Sequence, residues 1–157
     1  MNILQKSNCI NWKSLCITEG KQCWVLYLDA LVLDSDGNLN DALAIGAFSA
    51  LKTCHIPKIQ VITLENGLTE IDFSDDPSDF EKLPIKNIPI CITFAKIGDE
   101  FIVDPTVEEE LVMSTKLTIA INKNSEICSI QKGGSSSGLN PSELRKMIQV
   151  RRENISF

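Results

Sequence analysis

CWVLYLDALVLDSDGNLNDALAIGAFSALKTCHIP, running from Cys23 to Pro57, is the stretch whose reading decides the fold. Cys23 to Leu33 is almost continuously apolar, broken by a single Asp29, which predicts a strand covered on both faces. Asp34-Ser35-Asp36-Gly37-Asn38 has turn chemistry: short polar side chains and a glycine that tolerates positive φ. A helix is expected from Leu39 or Asn40, capped by Asn38 or Asn40. It is apolar on nearly every side and rich in small residues (Ala42, Ala44, Gly46, Ala47, Ser49, Ala50), the pattern of a buried helix lying close against a sheet. Asp29 is either hydrogen-bonded inside the fold or set beside a cleft.

Outward from this block the pattern changes period. Before it, Met1 to Gln22 is polar and irregular, with Trp12, Leu15, Cys16 and Ile17 as material for one short element. After it, Lys58 to Leu64 alternates as a strand, and Glu65-Asn66-Gly67 signals a hairpin into Leu68 to Phe73. Ser74 to Pro84 reads as an acidic linker with Asp75, Asp76, Asp79 and Glu81. Ile88 to Ile97 is a second strongly apolar strand, turning at Gly98-Asp99 into Phe101 to Val103. Leu117 to Ile121 and Ile127 to Gln131 make another hairpin, and a glycine-serine run from Gly133 to Gly138 follows. Asn140-Pro141-Ser142-Glu143 opens a last helix, with Asn as cap, Pro at the first position and Glu at the third. That helix carries Leu144, Met147 and Ile148 on one face, with Ile155 as an extension. Together these predict an α+β fold, a mixed sheet with helices packed against it. The expected division is a first lobe over 1–73, a linker over 74–87 and a second lobe over 88–157.

The 157 residues are 43% hydrophobic and 23% charged, an ordinary globular balance for about one domain. A net charge of −6 argues against a nucleic-acid binder acting alone, which needs a basic stripe to displace phosphate counterions. The six cysteines (Cys9, Cys16, Cys23, Cys54, Cys91, Cys128) are scattered without a C-x-x-C, and read as free thiols of a reducing compartment. No signal peptide or membrane-length apolar run is apparent, so no membrane partner is expected.

CWVLYLD followed by Asp-Gly-Asn, Asp-Ala and an Ile-Pro after the helix resembles the end of the N-terminal half of the RNase PH family fold. The block around Ile88 to Gly134 is similar as well: NIPICITFAKIGDEFIVDPTVEEE, then TKLTIAI, then Lys-Gly-Gly. Between them the two blocks cover most of Lys13 to Gln149, and within the family they most resemble the inactive class of eukaryotic exosome ring subunits. The resemblance implies an RNase PH-like fold (ribosomal protein S5 domain 2-like), here its C-terminal portion only, with the family's whole N-terminal half expected to be missing from this chain. It implies partners: other RNase PH-type subunits in a hexameric ring, cap proteins, an associated nuclease, and RNA threaded through the assembled channel. The implied setting is nucleus, including nucleolus, and cytoplasm. The alternative carried by the same likeness is a phosphorolytic 3′-to-5′ exoribonuclease. A small α+β interaction domain outside any ring is a third reading.

Active members of that family use phosphate to cleave the last linkage of an RNA 3′ end, holding the anion at a helix N-terminus. The corresponding positions here are Asn38, Leu39, Asn40 and Asp41. Leu39 offers no hydrogen bond, and Asp41 puts negative charge where phosphate would dock. Active members also carry an aspartate in an Asp-Met-Asp or Asp-Met-Asn run that serves as metal ligand or general acid. Here that run is Ser114-Thr115-Lys116, although Glu108, Glu109 and Glu110 stand upstream. Both half-sites read as degenerate, so no catalytic residue, cofactor or metal is expected. Arg145, Lys146, Arg151 and Arg152 are the candidates for RNA or partner contact, against the default of a solvated helix face.

Other motifs are weaker. Asp34-x-Asp36-Gly37-Asn38 starts like a calcium loop, but its glycine comes too early and Ile45 stands at the twelfth position. Ser49 to Lys52 matches S-x-x-K without the motifs that accompany it in β-lactamases. In the glycine-rich run Lys132 precedes the glycines, whereas a phosphate loop needs it after them. Cys54-His55 are neighbours whose side chains point apart in an extended chain, which favours a structural histidine.

Overall fold

The computed structural model describes residues 3, 6–64, 69–76, 78–134, 138 and 140–154, without the side chains of 150–154. A 3-10 turn at Trp12–Leu15 leads into β1 (Cys16–Thr18) and β2 (Gln22–Cys23). Helix α1 spans Leu39–Thr53, followed by β3 (His55–Pro57), β4 (Ile59–Thr63), β5 (Thr69–Phe73) and β6 (Phe80–Lys82). Then come β7 (Ile90–Ile97), β8 (Glu100–Val103), the short α2 (Val107–Val112), β9 (Thr115–Ile121), β10 (Ile127–Gly133) and α3 (Pro141–Asn154).

The organising layer is a four-stranded sheet of order β10-β9-β7-β8. Side chains alternate across a strand, so each face has its own composition. Phe94, Leu117, Ile119 and Ile121 form one core with Met147, and Ile92, Phe101, Leu144 and Ile148 pack against it. This face is the one α3 covers. The opposite face carries Cys91, Thr93, Ala95, Thr118 and Ala120, all buried, and these small side chains let α1 approach β7. Phe48 and Leu51 of α1 turn the other way, into a second core with Cys9, Ile10, Leu15 and Leu83. The N-terminal stretch that reads as irregular thus supplies three core residues, and Ile10 bridges to Ile85.

Four expectations are corrected. The described strand pairs are all antiparallel where a mixed sheet was expected. Tight turns join β7 to β8 and β9 to β10, and such short connections permit only antiparallel pairing. Secondly, Val25 to Ser35 lies in no strand or helix. Trp24, Leu26 and Leu28 lean on the first core. Tyr27 (87%), Leu31 (85%) and Leu33 (90%) are exposed, as is Asp29. A continuous apolar run predicts cover on two faces, and within this chain only one side is covered. Thirdly, α1 is not enclosed: Leu39, Ala42, Gly46, Ala47 and Ala50 border an open apolar groove of about 670 Å³ with Leu28 to Asp34. Lastly, Ser74 to Pro84 holds a strand, β6, which pairs with β3 from His55↔Lys82 to Pro57↔Phe80. Its apolar content is too low to show a period.

Other readings stand. β4 and β5 pair from Ile59↔Phe73 to Thr63↔Thr69, with the Glu65-Asn66-Gly67 hairpin signal outside the described residues. Helix α3 begins at Pro141, and Glu143 reaches back to accept from the Asn140 N–H at 3.0 Å. The serines at 135–137 and Ile155 also lie outside the described residues.

Candidate functional site

The Asp-Gly-Asn turn holds the start of α1 against the β8–α2 connection. Gly37 adopts φ +100°, and a Cβ there would lie 2.3 Å from the Pro105 carbonyl oxygen, so only glycine fits. Asn38 is buried and left-handed at φ 42°, and it caps α1 through its carbonyl and not its side chain. Its Nδ2 donates instead to Asp41 Oδ2 at 3.0 Å and to Asp104 Oδ1 at 2.8 Å. Asn38 Oδ1 has no partner among the described residues.

Asp41 faces inward. Its carboxylate accepts from the Thr93 N–H and from Thr93 Oγ1, each at 2.8 Å. Thr93 Oγ1 lies 2.9 Å from Thr118 Oγ1; with the Thr93 proton committed to Asp41, Thr118 donates to Thr93. One buried carboxylate therefore pins the first turn of α1 to β7 and, through Thr118, to β9. Read from sequence, Asp41 repels an incoming anion; in the fold its oxygens are already taken by three donors. Leu39 turns toward the apolar groove, and exposed Asn40 lines a cleft of about 510 Å³ with Thr118 and Gln131.

The second half-site lies on the same sheet face. Thr118 and Lys116 are two residues apart on β9, about 7 Å along the strand, so both point toward the α1 side. Lys116 ion-pairs with Glu110, both half-buried. Ser114 donates from its N–H and its Oγ to the Lys96 carbonyl, at 2.8 and 3.2 Å. Glu109 closes a capping box with Thr106 at the start of α2, so of the three glutamates only Glu108 is exposed. Gly134, at φ +96°, packs where a Cβ would meet Thr115 Cα at 2.9 Å, bringing the glycine-rich run beside Ser114 to Lys116. On the opposite face Lys96 pairs with Glu143 at 2.7 Å, and that ion pair with the Asn140 N–H holds the Glu143 carboxyl below its usual range.

The fold thus brings Asn38, Asp41, Ser114 and Lys116 to one side of the sheet, with Asp41, Ser114 and Lys116 bonded to protein partners, while Asn38 Oδ1 has none among the described residues and Asn40 is exposed. Sequence reasoning missed Thr93, Thr118 and Asp104, which hold this arrangement; two threonines at facing positions of apolar strands were the available signal. Arg145 and Lys146 are exposed on α3, away from this face, and Arg151 and Arg152 lie where side chains are not described. Among the described residues, no cluster of three or more His, Cys, Asp or Glu side chains could hold a metal ion. Among them, too, no helix is long and apolar enough to cross a membrane.

Known proteins are similar to this chain in sequence and in fold. A model of the 3′ exoribonuclease family, domain 1, matches residues 2–57, and one of the same family's domain 2 matches residues 87–154. An RRP42-named protein of Dictyostelium discoideum is 48% identical over 134 residues, 85% of this chain and 41% of its own length. The exosome complex component Rrp42 of Methanopyrus kandleri is 42% identical over 83% of this chain and 46% of its own. The Ser74-Asp75-Asp76-Pro77 linker with the NIPICIT that follows leans to this ribosomal-RNA-processing protein forty-two over its sister forty-three, and these relatives agree. A solved archaeal exosome core superposes with a TM-score of 0.77 at 29% identity, over 95% of this chain and 54% of that one. An Archaeoglobus fulgidus exosome with RNA bound to the active site matches equally, at TM-score 0.77 and 29% identity. The chain spans about half the length of the relatives it matches. With both family models matched in order along one chain, and a shared RNase PH-like α+β fold, this chain belongs to the 3′ exoribonuclease family and is Rrp42-like within it.

Proposed function

We propose that the chain is a non-catalytic, Rrp42-like subunit of an RNA exosome ring, supporting 3′-to-5′ RNA processing and degradation by pairing with another RNase PH-type subunit. The observation that carries the reading is Asp41: it stands at the helix start where phosphate would be held, and its carboxylate is bound to Thr93 and Asn38. An anion there meets a fixed negative charge and an apolar Leu39 instead of hydroxyl donors. The acid position supports the same reading, since Ser114 cannot protonate a leaving oxygen at neutral pH and Lys116 is neutralised by Glu110.

The relatives' names, exosome components, support the proposed partners. They comprise a second RNase PH-type subunit, two further such pairs completing a hexamer, cap proteins, an associated nuclease and RNA in the shared channel. Arg145 and Lys146, with Arg151 and Arg152 farther along α3, are the cationic candidates for RNA or partner contact. The proposed division is a first lobe over 1–73, a linker over 74–87 and a second lobe over 88–157. The proposed location is nucleus, nucleolus and cytoplasm.

The test is phosphate-dependent release of nucleoside diphosphates from a labelled RNA 3′ end, with magnesium or manganese. The chain alone should release none above a no-protein control. Release that requires phosphate and this chain would establish the alternative, an exoribonuclease active in its own right. Affinity capture from the source cells tests the partner half: RNase PH-type subunits and cap proteins at equal stoichiometry are expected, and their absence would reject ring membership.

A further inference from the structure

We propose that Cys16 and Cys23 are a reversible dithiol–disulfide pair, a modification site for small-molecule disulfides such as glutathione disulfide. The two residues are seven apart in sequence, and the β1–β2 hairpin sets them directly opposite each other. The Trp24 N–H donates to the Leu15 carbonyl at 2.7 Å, making the Leu15–Trp24 level a hydrogen-bonded one. Alternation along an antiparallel pair then makes Cys16–Cys23 a non-hydrogen-bonded pair, the kind with Cα atoms about 4.5 Å apart and side chains on the same side. A disulfide accepts Cα separations of about 4.4–6.8 Å, so the bond forms within the existing pairing. Both cysteines are exposed free thiols, whereas Cys9 and Cys91 are buried and Cys54 and Cys128 half-buried. Accessibility and proximity therefore coincide at one of the possible pairs.

The chemistry is thiol–disulfide exchange. One protein thiolate attacks a sulfur of glutathione disulfide, expelling a glutathione thiolate and leaving a mixed disulfide. The second protein thiolate attacks the protein sulfur of that bond and expels the other glutathione. The protein loses two protons and two electrons and gains one S–S bond; the reagent gains them as two thiols. An exposed bond across a hairpin is readily reduced again, as befits a pair in a reducing compartment. The closed bond locks the hairpin immediately before Trp24, whose ring packs on the first core and edge-on to Phe73 at 6.4 Å.

The test uses the full chain equilibrated in glutathione buffers of graded oxidation, alkylated and digested with trypsin. Cleavage after Lys13, Lys21 and Lys52 puts Cys16 and Cys23 on separate peptides, Ser14–Lys21 and Gln22–Lys52, each with a single cysteine. In the monomer, oxidising buffer should yield these two peptides joined, near stoichiometrically and reversed by dithiothreitol. The other four cysteines should be recovered outside any disulfide. A Cys54→Ser/Cys128→Ser variant should behave identically, and Cys16→Ser should leave Cys23 alkylated or carrying glutathione. Three outcomes would each overturn the proposal: Cys16 and Cys23 alkylated under fully oxidising conditions, each carrying its own glutathione, or linked only in a reductant-sensitive dimer.

Discussion

Asp41 shows how one residue can carry two readings. Beside Leu39 and Asn40 it looks like a charge lost into a binding site; in three dimensions it is a structural acceptor for the Thr93 N–H and hydroxyl. Replacing it with alanine strands a buried backbone amide and the Asn38 Nδ2 contact, at a cost of about 3 kcal/mol. Urea titration should show that loss as a lower midpoint at unchanged slope. Asp41→Asn, which keeps one acceptor oxygen and the volume, should fall between alanine and the native chain. If Asp41→Ala unfolds at the native midpoint, the network is not what ties α1 to the sheet.

At the scale of elements, α3 is held by an apolar face of which Met147 is the most buried residue, and by an ion pair. Met147 is 3% exposed and sits among Phe94, Leu117, Ile119 and Ile121. Met147→Ala should cost about 2–4 kcal/mol from lost burial and the cavity left behind, read by chemical denaturation. The Lys96–Glu143 pair joins α3 to β7 and has a pH signature. Because Glu143 is held below its ordinary value of 4.5, its contribution is complete above that pH and fades as pH falls through the lower folded value. Native chain and Glu143→Gln should therefore differ in stability at neutral pH and converge in acid, with salt reducing the neutral-pH gap because the pair is partly solvated. An equal gap across the whole range would mean that the charge on Glu143 contributes nothing to stability.

Over the whole molecule, the apolar side chains are divided unevenly. The four-stranded sheet has helices on both faces, while Tyr27, Leu31 and Leu33 and the open side of α1 meet solvent. Isolated chain with this surface should self-associate with rising concentration, because exposed apolar area favours contact. Light scattering after size exclusion should give a mass above the monomer, and Leu31→Lys with Leu33→Lys should return it toward the monomer. A clean monomer at high concentration would mean that the groove closes by rearrangement within the chain.

The sequence by itself determined the α+β class, the strands from Ile88 onward, the cap and start of α3, and the likeness to the RNase PH family. It did so because hydrophobic period, turn residues and caps are local properties that each short window expresses alone. It also named Asn38 to Asp41 and Ser114 to Lys116 as the positions that matter. Only the tertiary structure decided what those residues do: Asp41 turned inward because Thr93 faces it from 52 residues away, and Lys116 is held by Glu110. The same limit explains Cys23 to Leu33. An apolar run states that a segment needs cover, but which faces receive it depends on what packs alongside, and here α1 and the first core reach one side only. Cys16 and Cys23 likewise become a pair only when the hairpin register sets them face to face. Contacts between distant segments are made by packing, and no local pattern encodes them.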